Sequence, residues 1–101
     1  MAQNFNEKVW AQLKKIPPGK VTTYKEIAKG LGKPKAARAV GNACNKNPFA
    51  PKVPCHRVVK SDGTVGGYVQ GKKKKIELLE KEGLGISKGK IENFAEKAYR
   101  F

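Results

Sequence analysis

The sequence predicts a mainly α-helical domain of the winged helix-turn-helix kind, with a small β-hairpin as its wing. Three observations carry this. The 101 residues suffice for one modest core but not two. Two short amphipathic segments within 22–46 flank a glycine break, which is the pattern of a helix-turn-helix. Behind them, the segment 56–65 carries a β-branched run and an Asp-Gly pair, which read as strand, turn and return strand.

Phe5, Val9, Leu13 and Ile16, with Trp10 beside them, recur at helical spacing and predict a helix over 4–15. "IPPGKV" at 16–21 stops it, because two prolines and a glycine do not continue a helix. Thr22 or Thr23 can N-cap a second helix, with Glu26 in capping-box position three residues after Thr23. Tyr24, Ile27, Ala28 and Leu31 form its apolar stripe, and "GLGKP" at 30–34 breaks it. A third helix is predicted over 35–46, "KAARAVGNACNK", with Ala36, Val40, Ala43 and Cys44 on one side.

The chain then changes character. "NPFAPKVP" at 47–54 holds three prolines and reads as extended loop. "HRVV" predicts a strand, "KSDGT" a turn around Asp62-Gly63, and Thr64-Val65 a short return strand. "GGYVQGKKKK" is a glycine-rich loop entering a basic run, followed by a helix over 73–82 with Ile76 and Leu79 inward and Gly83 as its stop. Phe94, Ala98 and Phe101 suggest a last helix, so that 73–101 is helical in the main. Neither an internal repeat nor an interdomain linker interrupts residues 1–101, which read as a single domain.

Hydrophobic residues make up 39% of the chain, and Phe5, Trp10, Tyr24, Tyr68 and Phe94 are spread along it, enough to fold unaided. The formal charge of +14, from 22 basic against 8 acidic residues, exceeds what solubility requires and points to a polyanionic partner, nucleic acid first. No strongly apolar amphipathic helix supports a membrane surface instead. The apolar runs are too short to span a bilayer, and "MAQNFNEKVW" lacks a signal-peptide apolar core. The expectation is an intracellular, cytoplasmic protein. Cys44 and Cys55 are then not a structural disulfide, and two cysteines with one histidine fall short of a structural zinc set. No metal or other cofactor is expected.

Three constellations bear on function. The helix at 35–46 shows one long side chain, Arg38, among Ala36, Ala37, Ala39 and Gly41. Small residues let a helix approach closely while one arginine penetrates, which suits a minor groove or the gap of a displaced base better than major-groove readout. The competing reading is that the alanines pack and Arg38 is a solvated charge. Of the lysines at 72–75, at least two read as a solvated helix face and the rest as phosphate contacts. The third is "VPCHRVV" at 53–59, where the only histidine follows Cys55. A free thiol has a pKa of about 8.5, so a nucleophilic cysteine needs a base or a positive field. Neighbours on a strand face opposite ways, so His56 would act through a water or a bend after Pro54, with a carboxylate to orient it. The alternative is a small buried hydrophobe, which is how Cys44, spaced to Val40, reads. The residues alone leave Cys55 open between the two.

The stretch "PCHRVV" at 54–59 resembles the active-site motif of the O6-alkylguanine-DNA alkyltransferases, or methylated-DNA–protein-cysteine methyltransferases. "TTYKEIA" at 22–28, "ARAVGNA" at 37–43, "NP" at 47–48 and "GY..G...K..LL..EG" from Gly67 to Gly83 resemble the same family in order and spacing. The resemblance spans about 5–85 and implies the family's C-terminal catalytic domain. It implies a monomer that binds double-stranded DNA carrying O6-alkylguanine in the minor groove, flips the lesion out and keeps the alkyl group on Cys55 as a thioether. His56 would deprotonate Cys55 through a water, oriented by Glu82. Asn47 would organise the active-site turn, Tyr24 would donate toward guanine N3, and Arg38 would fill the gap left by the base. The backbone at Cys55 and Val58 would recognise the exocyclic amine, and Pro54, Gly66 and Tyr68 would wall the pocket. Thr23, Tyr24, Ala36, Ala37, Arg38, Gly41 and Ser61 would contact DNA.

Many members carry a further N-terminal domain, whereas this chain is expected to begin at the catalytic one. Alkyltransferase-like proteins of this size have Trp at the nucleophile position and bind lesions without transfer. Cys55 favours transfer, with the lesion sensor as the alternative. A winged helix-turn-helix regulator with a structural Cys55 is a third reading, and the scarcity of long polar side chains on 35–46 counts against it.

Overall fold

The computed structural model describes residues 4–101. Helix α1 (Phe5–Leu13) opens with a complete capping box: Asn4 Oδ1 accepts the Glu7 N–H at 2.8 Å, and Glu7 Oε1 accepts the Asn4 N–H at 3.1 Å. Such a cap is worth about 1 kcal/mol. Val9, Leu13 and Ile16 are buried, with Ile16 in the turn that leads to Pro17-Pro18. After strand β1 (Thr22–Thr23), Thr23 caps helix α2 (Tyr24–Gly30) by accepting the Glu26 N–H at 3.0 Å. Helix α3 (Ala37–Asn45) follows. Trp10 Nε1 donates to the Ala43 carbonyl at 2.9 Å, fastening α1 to α3.

The expected strand at "HRVV" forms only in its second half. Cys55–Arg57 is one 3₁₀ turn, in which the Arg57 N–H donates to the Pro54 carbonyl at 3.0 Å, and strand β2 is Val58–Val59. The physical reason lies in Glu82, whose carboxylate meets both His56 and Arg57. Consecutive side chains of a strand point to opposite faces and cannot both reach one partner.

Strand β2 pairs in parallel with β1, Thr22 opposite Val58 and Thr23 opposite Val59, and not with Thr64-Val65 as a wing hairpin. Residues 60–64 do turn at Asp62-Gly63, where Asp62 Oδ1 accepts the Thr64 N–H at 2.9 Å and Gly63 has φ +87°. Beyond that turn, the Val65 N–H donates to the Gly89 carbonyl at 2.9 Å. The fold's hairpin lies later, between β3 (Ile86–Ser87) and β4 (Lys90–Ile91). Its two-residue loop is Lys88-Gly89, both at positive φ, the backbone that suits a tight hairpin.

Helix α4 (Lys72–Lys81) stops at Gly83, φ +92°. The expected C-terminal helix shrinks to a single turn, α5 (Phe94–Lys97). Past it the chain is extended, because the edge beside Val21 supplies better partners: Val21 N–H donates to Lys97 C=O at 2.9 Å and Tyr99 N–H to Val21 C=O at 2.6 Å.

Two core clusters meet at β2. Val58 joins Val9, Leu13, Ile27, Val40 and Ala43 under the three N-terminal helices. Val59, on the other face of the strand, joins Val21, Val65, Leu79, Leu84 and Ile91. The result is a mainly helical domain with short sheet pieces. Among the described residues no helix is long and apolar enough to cross a membrane.

Candidate active site and nucleic-acid interface

The two ends of the loop 47–54 are joined by one amide. Asn47, buried, donates through Nδ2 to the Val53 carbonyl at 2.8 Å and accepts the Phe49 N–H on Oδ1 at 3.0 Å. Both ends of the loop are thereby tied to one amide, which fixes Pro54 and Cys55 at the start of the 3₁₀ turn. Cys55 is 3% exposed. Burial pushes its thiol pKa up, opposed by the Asn47 side chain and the Lys75 ammonium, and the net direction is upward. The resting form is the thiol, so reaction needs a group to receive its proton.

The adjacent His56 is the candidate for that group. Its Nε2 lies 3.0 Å from Glu82 Oε2, while Nδ1 is buried and has no partner among the described residues. Glu82 also accepts from Arg57 twice, Nε to Oε1 at 2.9 Å and a terminal nitrogen to Oε2 at 2.6 Å. The other terminal nitrogen of Arg57 donates to the Ile16 carbonyl at 2.7 Å. Burial raises the Glu82 pKa, but the hydrogen bonds from Arg57 and His56 outweigh it and hold the carboxyl ionised. An ionised carboxylate only accepts, so Nε2 carries the proton and Nδ1 is left as a base. Burial lowers the His56 pKa more than Glu82 raises it, so the ring is neutral at pH 7.

A buried lysine completes the constellation. Lys75 is wholly inaccessible, and its Nζ donates to the carbonyls of Val58 at 2.6 Å and Gly67 at 3.0 Å. Burial lowers its pKa to about 8, with both cysteines opposing. Gly66, φ +76°, lies beside it: a Cβ there would sit 3.9 Å from Lys75 Nζ. Tyr68 stands edge-on to His56, ring centroids 6.2 Å apart, with its hydroxyl buried and without a partner among the described residues. Tyr24 begins α2, and burial raises its phenol to about 12, which keeps it a proton donor.

Arg38 is exposed on α3 and lines an open cleft of 830 Å³ with Tyr24, Lys25, Ala37, Gly41 and Ser61. Gly41 faces Tyr24, since a Cβ there would meet its ring at 3.9 Å. Ala36 packs against the main core and is not among the walls of that cleft. Thr23 is buried, its hydroxyl committed to the cap of α2. Thus Asn47, Cys55, His56 and Glu82 converge under Tyr68, and Arg38, Ala37, Gly41, Tyr24 and Ser61 share the neighbouring surface.

Two residues escaped the sequence reading. Arg57 gave no signal beyond its adjacency to His56. Lys75 did give one: it precedes Leu79 by four residues, which puts it on the inward face of α4.

Comparison with known proteins bears on this site. The family profile described as "6-O-methylguanine DNA methyltransferase, DNA binding domain" matches residues 4–84. A methylated-DNA–protein-cysteine methyltransferase of Methanosarcina acetivorans is 53% identical over 79 residues, which are 78% of this chain and 51% of that protein. The Mycobacterium tuberculosis OGT solved in complex with DNA is 46% identical, with TM-score 0.77 over 81% of this chain and 51% of that one. S. pombe Atl1, solved in complex with damaged DNA containing O6-carboxymethylguanine, is 34% identical with TM-score 0.86 over 100% of both chains. The chain spans about half the length of the Methanosarcina relative, and the matched profile is that of a DNA-binding domain. By that match over 81 of its residues, the chain belongs to the 6-O-methylguanine DNA methyltransferase family.

Proposed function

We propose that the protein repairs alkylated DNA by moving the alkyl group of O6-alkylguanine onto its own Cys55, once per molecule. It binds duplex DNA as a monomer through α3 from the minor groove, and the flipped base enters beside Cys55, Val58, Pro54 and Tyr68. The observation that carries the reading is a shielded thiol next in sequence to a neutral His56 whose Nε2 is held by Glu82 and whose Nδ1 has no partner among the described residues. A structural cysteine would need none of this.

The chemistry balances as follows. His56 Nδ1 takes the Cys55 proton through a water, and Glu82 steadies the imidazolium. The thiolate attacks the alkyl carbon, an S–C bond forms, the C–O6 bond breaks, and its electron pair leaves with guanine. Tyr24, whose raised pKa keeps its phenol protonated, donates a hydrogen bond toward N3 of the departing base. Overall the thiol proton is exchanged for the alkyl group, and no cofactor enters. Arg38 occupies the space of the extruded guanine, which offsets part of the few kcal/mol that flipping costs.

A second reading has its own support: the likeness to Atl1 covers the whole chain. A lesion sensor would bind and flip without transfer. Intact mass after incubation with O6-methylguanine duplex separates the two. Transfer adds one methyl, mapped to the peptide with Cys55 and absent from Cys44, whose buried thiol is pushed up to about 12. Unmodified protein on lesion DNA that it demonstrably binds would establish the sensor. Cys55→Ser should bind lesions and transfer nothing.

A further inference from the structure

Residues 85–101 lie beyond the residues that the family profile matches, yet they are built into the face that carries Arg38. The extended tail runs beside β1, fixed by the two backbone bonds to Val21 and by Lys20 Nζ, which donates to the Glu96 carbonyl at 3.0 Å. The rings of Tyr99 and Phe101 meet edge to face at 5.2 Å, and Phe101 covers Gly30, where a Cβ would lie 3.5 Å from it. Arg100, between these two anchors, is thereby held exposed against α2.

Arg100 faces a hollow of 260 Å³ that it shares with Thr23, Lys25, Lys29 and Ser61. Lys25 and Ser61 also line the 830 Å³ cleft of Arg38. Lys29 and Arg100 line a further hollow of 300 Å³ that ends at Phe101. One trough therefore runs from Arg38 along α2 to the tail. Lys25, Lys29, Arg38, Lys60 and Arg100 make it basic, and its one carboxylate, Glu26, is engaged by Lys29 at 3.6 Å. A continuous basic trough suits a sugar-phosphate backbone, because phosphates recur along it and demand no base recognition.

We propose that the tail forms a second shoulder of the DNA interface, with Arg100 contacting a backbone phosphate that flanks the lesion on the α2 side. The inference rests on the DNA-binding reading above. A tail already fixed in place adds contact without an ordering cost on binding.

The test compares wild type, Arg100→Gln and Arg100→Lys for affinity to undamaged and O6-methylguanine duplexes over a salt series. It also follows transfer from free O6-benzylguanine. With Arg100→Gln, both duplex affinities should fall several-fold alike, and the slope of log K against log salt should become shallower by about 0.9, one phosphate contact. Arg100→Lys should keep the slope, and the free-base rate should be unchanged for both variants. An unchanged slope in Arg100→Gln, or a loss confined to the lesion duplex, would overturn the shoulder while leaving the repair reading intact. Wild type that fails to bind duplex at all would overturn both.

Discussion

Nε2 of His56 and Oε2 of Glu82 lie 3.0 Å apart, and the same carboxylate holds Arg57 in a two-point clamp. Glu82 thus sets the tautomer of the ring from one side while Arg57 fixes Glu82 from the other. Both links titrate. Burial, opposed by Glu82, leaves the His56 pKa below its ordinary 6.5. Between those two values the unfolded chain binds a proton that the folded one refuses, so stability declines as pH falls below about 6.5. Glu82, net lowered despite its burial, adds a further loss as pH falls below its ordinary 4.5. Denaturant midpoints from pH 7 to 5 should therefore drop in the wild type and stay nearly flat in His56→Gln. Equal slopes in both would show that His56 carries no such linkage.

Glu82→Gln tests the clamp itself. The amide leaves the Arg57 guanidinium without an ionised partner, which should cost about 1–3 kcal/mol of stability. It also turns a pure acceptor into a group that can donate to Nε2, so His56 can take the wrong tautomer and lose its base at Nδ1. Transfer from O6-methylguanine duplex should slow by tenfold or more, while duplex affinity stays near wild type. A variant that lost stability but kept its transfer rate would make Glu82 a purely structural partner of Arg57.

Lys75 also presents a charge to Cys55. It offsets part of the upward push of burial on the thiol. Lys75→Met keeps the length of the side chain and removes the charge, so the thiol pKa should climb further, and each unit lowers the thiolate fraction tenfold. Labelling of Cys55 by iodoacetamide at pH 8 should slow several-fold, with far-ultraviolet dichroism unchanged. Unchanged labelling would remove Lys75 from the field at Cys55.

The helix-turn-helix was legible because its signals are local. The Thr23 cap, the 30–34 break and the stripe of Val40, Ala43 and Cys44 all act within a few residues. Partners distant in sequence were not legible. Nothing near "HRVV" announces that Val58 pairs with Thr22, and Lys88-Gly89 lacks the Asn or Asp that marks a hairpin turn. In the site, Asn47, Cys55, His56 and Glu82 were named from the family motif, and the structure brings them together. The reading of the basic run as surface held for Lys72, Lys73 and Lys74 but not for Lys75. A lysine enters a core only where carbonyls from other segments receive it, and Val58 and Gly67 lie 17 and 8 residues away.

Arg38 allows flipping to be tested apart from chemistry. If its side chain fills the space of the extruded guanine, Arg38→Ala leaves the broken stacking and pairing uncompensated. The cost is a few kcal/mol at most, which corresponds to a loss of tenfold or more in transfer from duplex. Transfer from free O6-benzylguanine involves no flipping and should be nearly unchanged. His56→Ala should slow both reactions, because either substrate requires the thiolate. The two variants therefore separate by pattern as well as by size. Arg38 is exposed on α3 and lines the cleft without joining either core cluster, so its removal should leave the unfolding free energy within about 0.5 kcal/mol of wild type. Equal losses for Arg38→Ala on free base and duplex would assign Arg38 to the pocket and end its role in flipping.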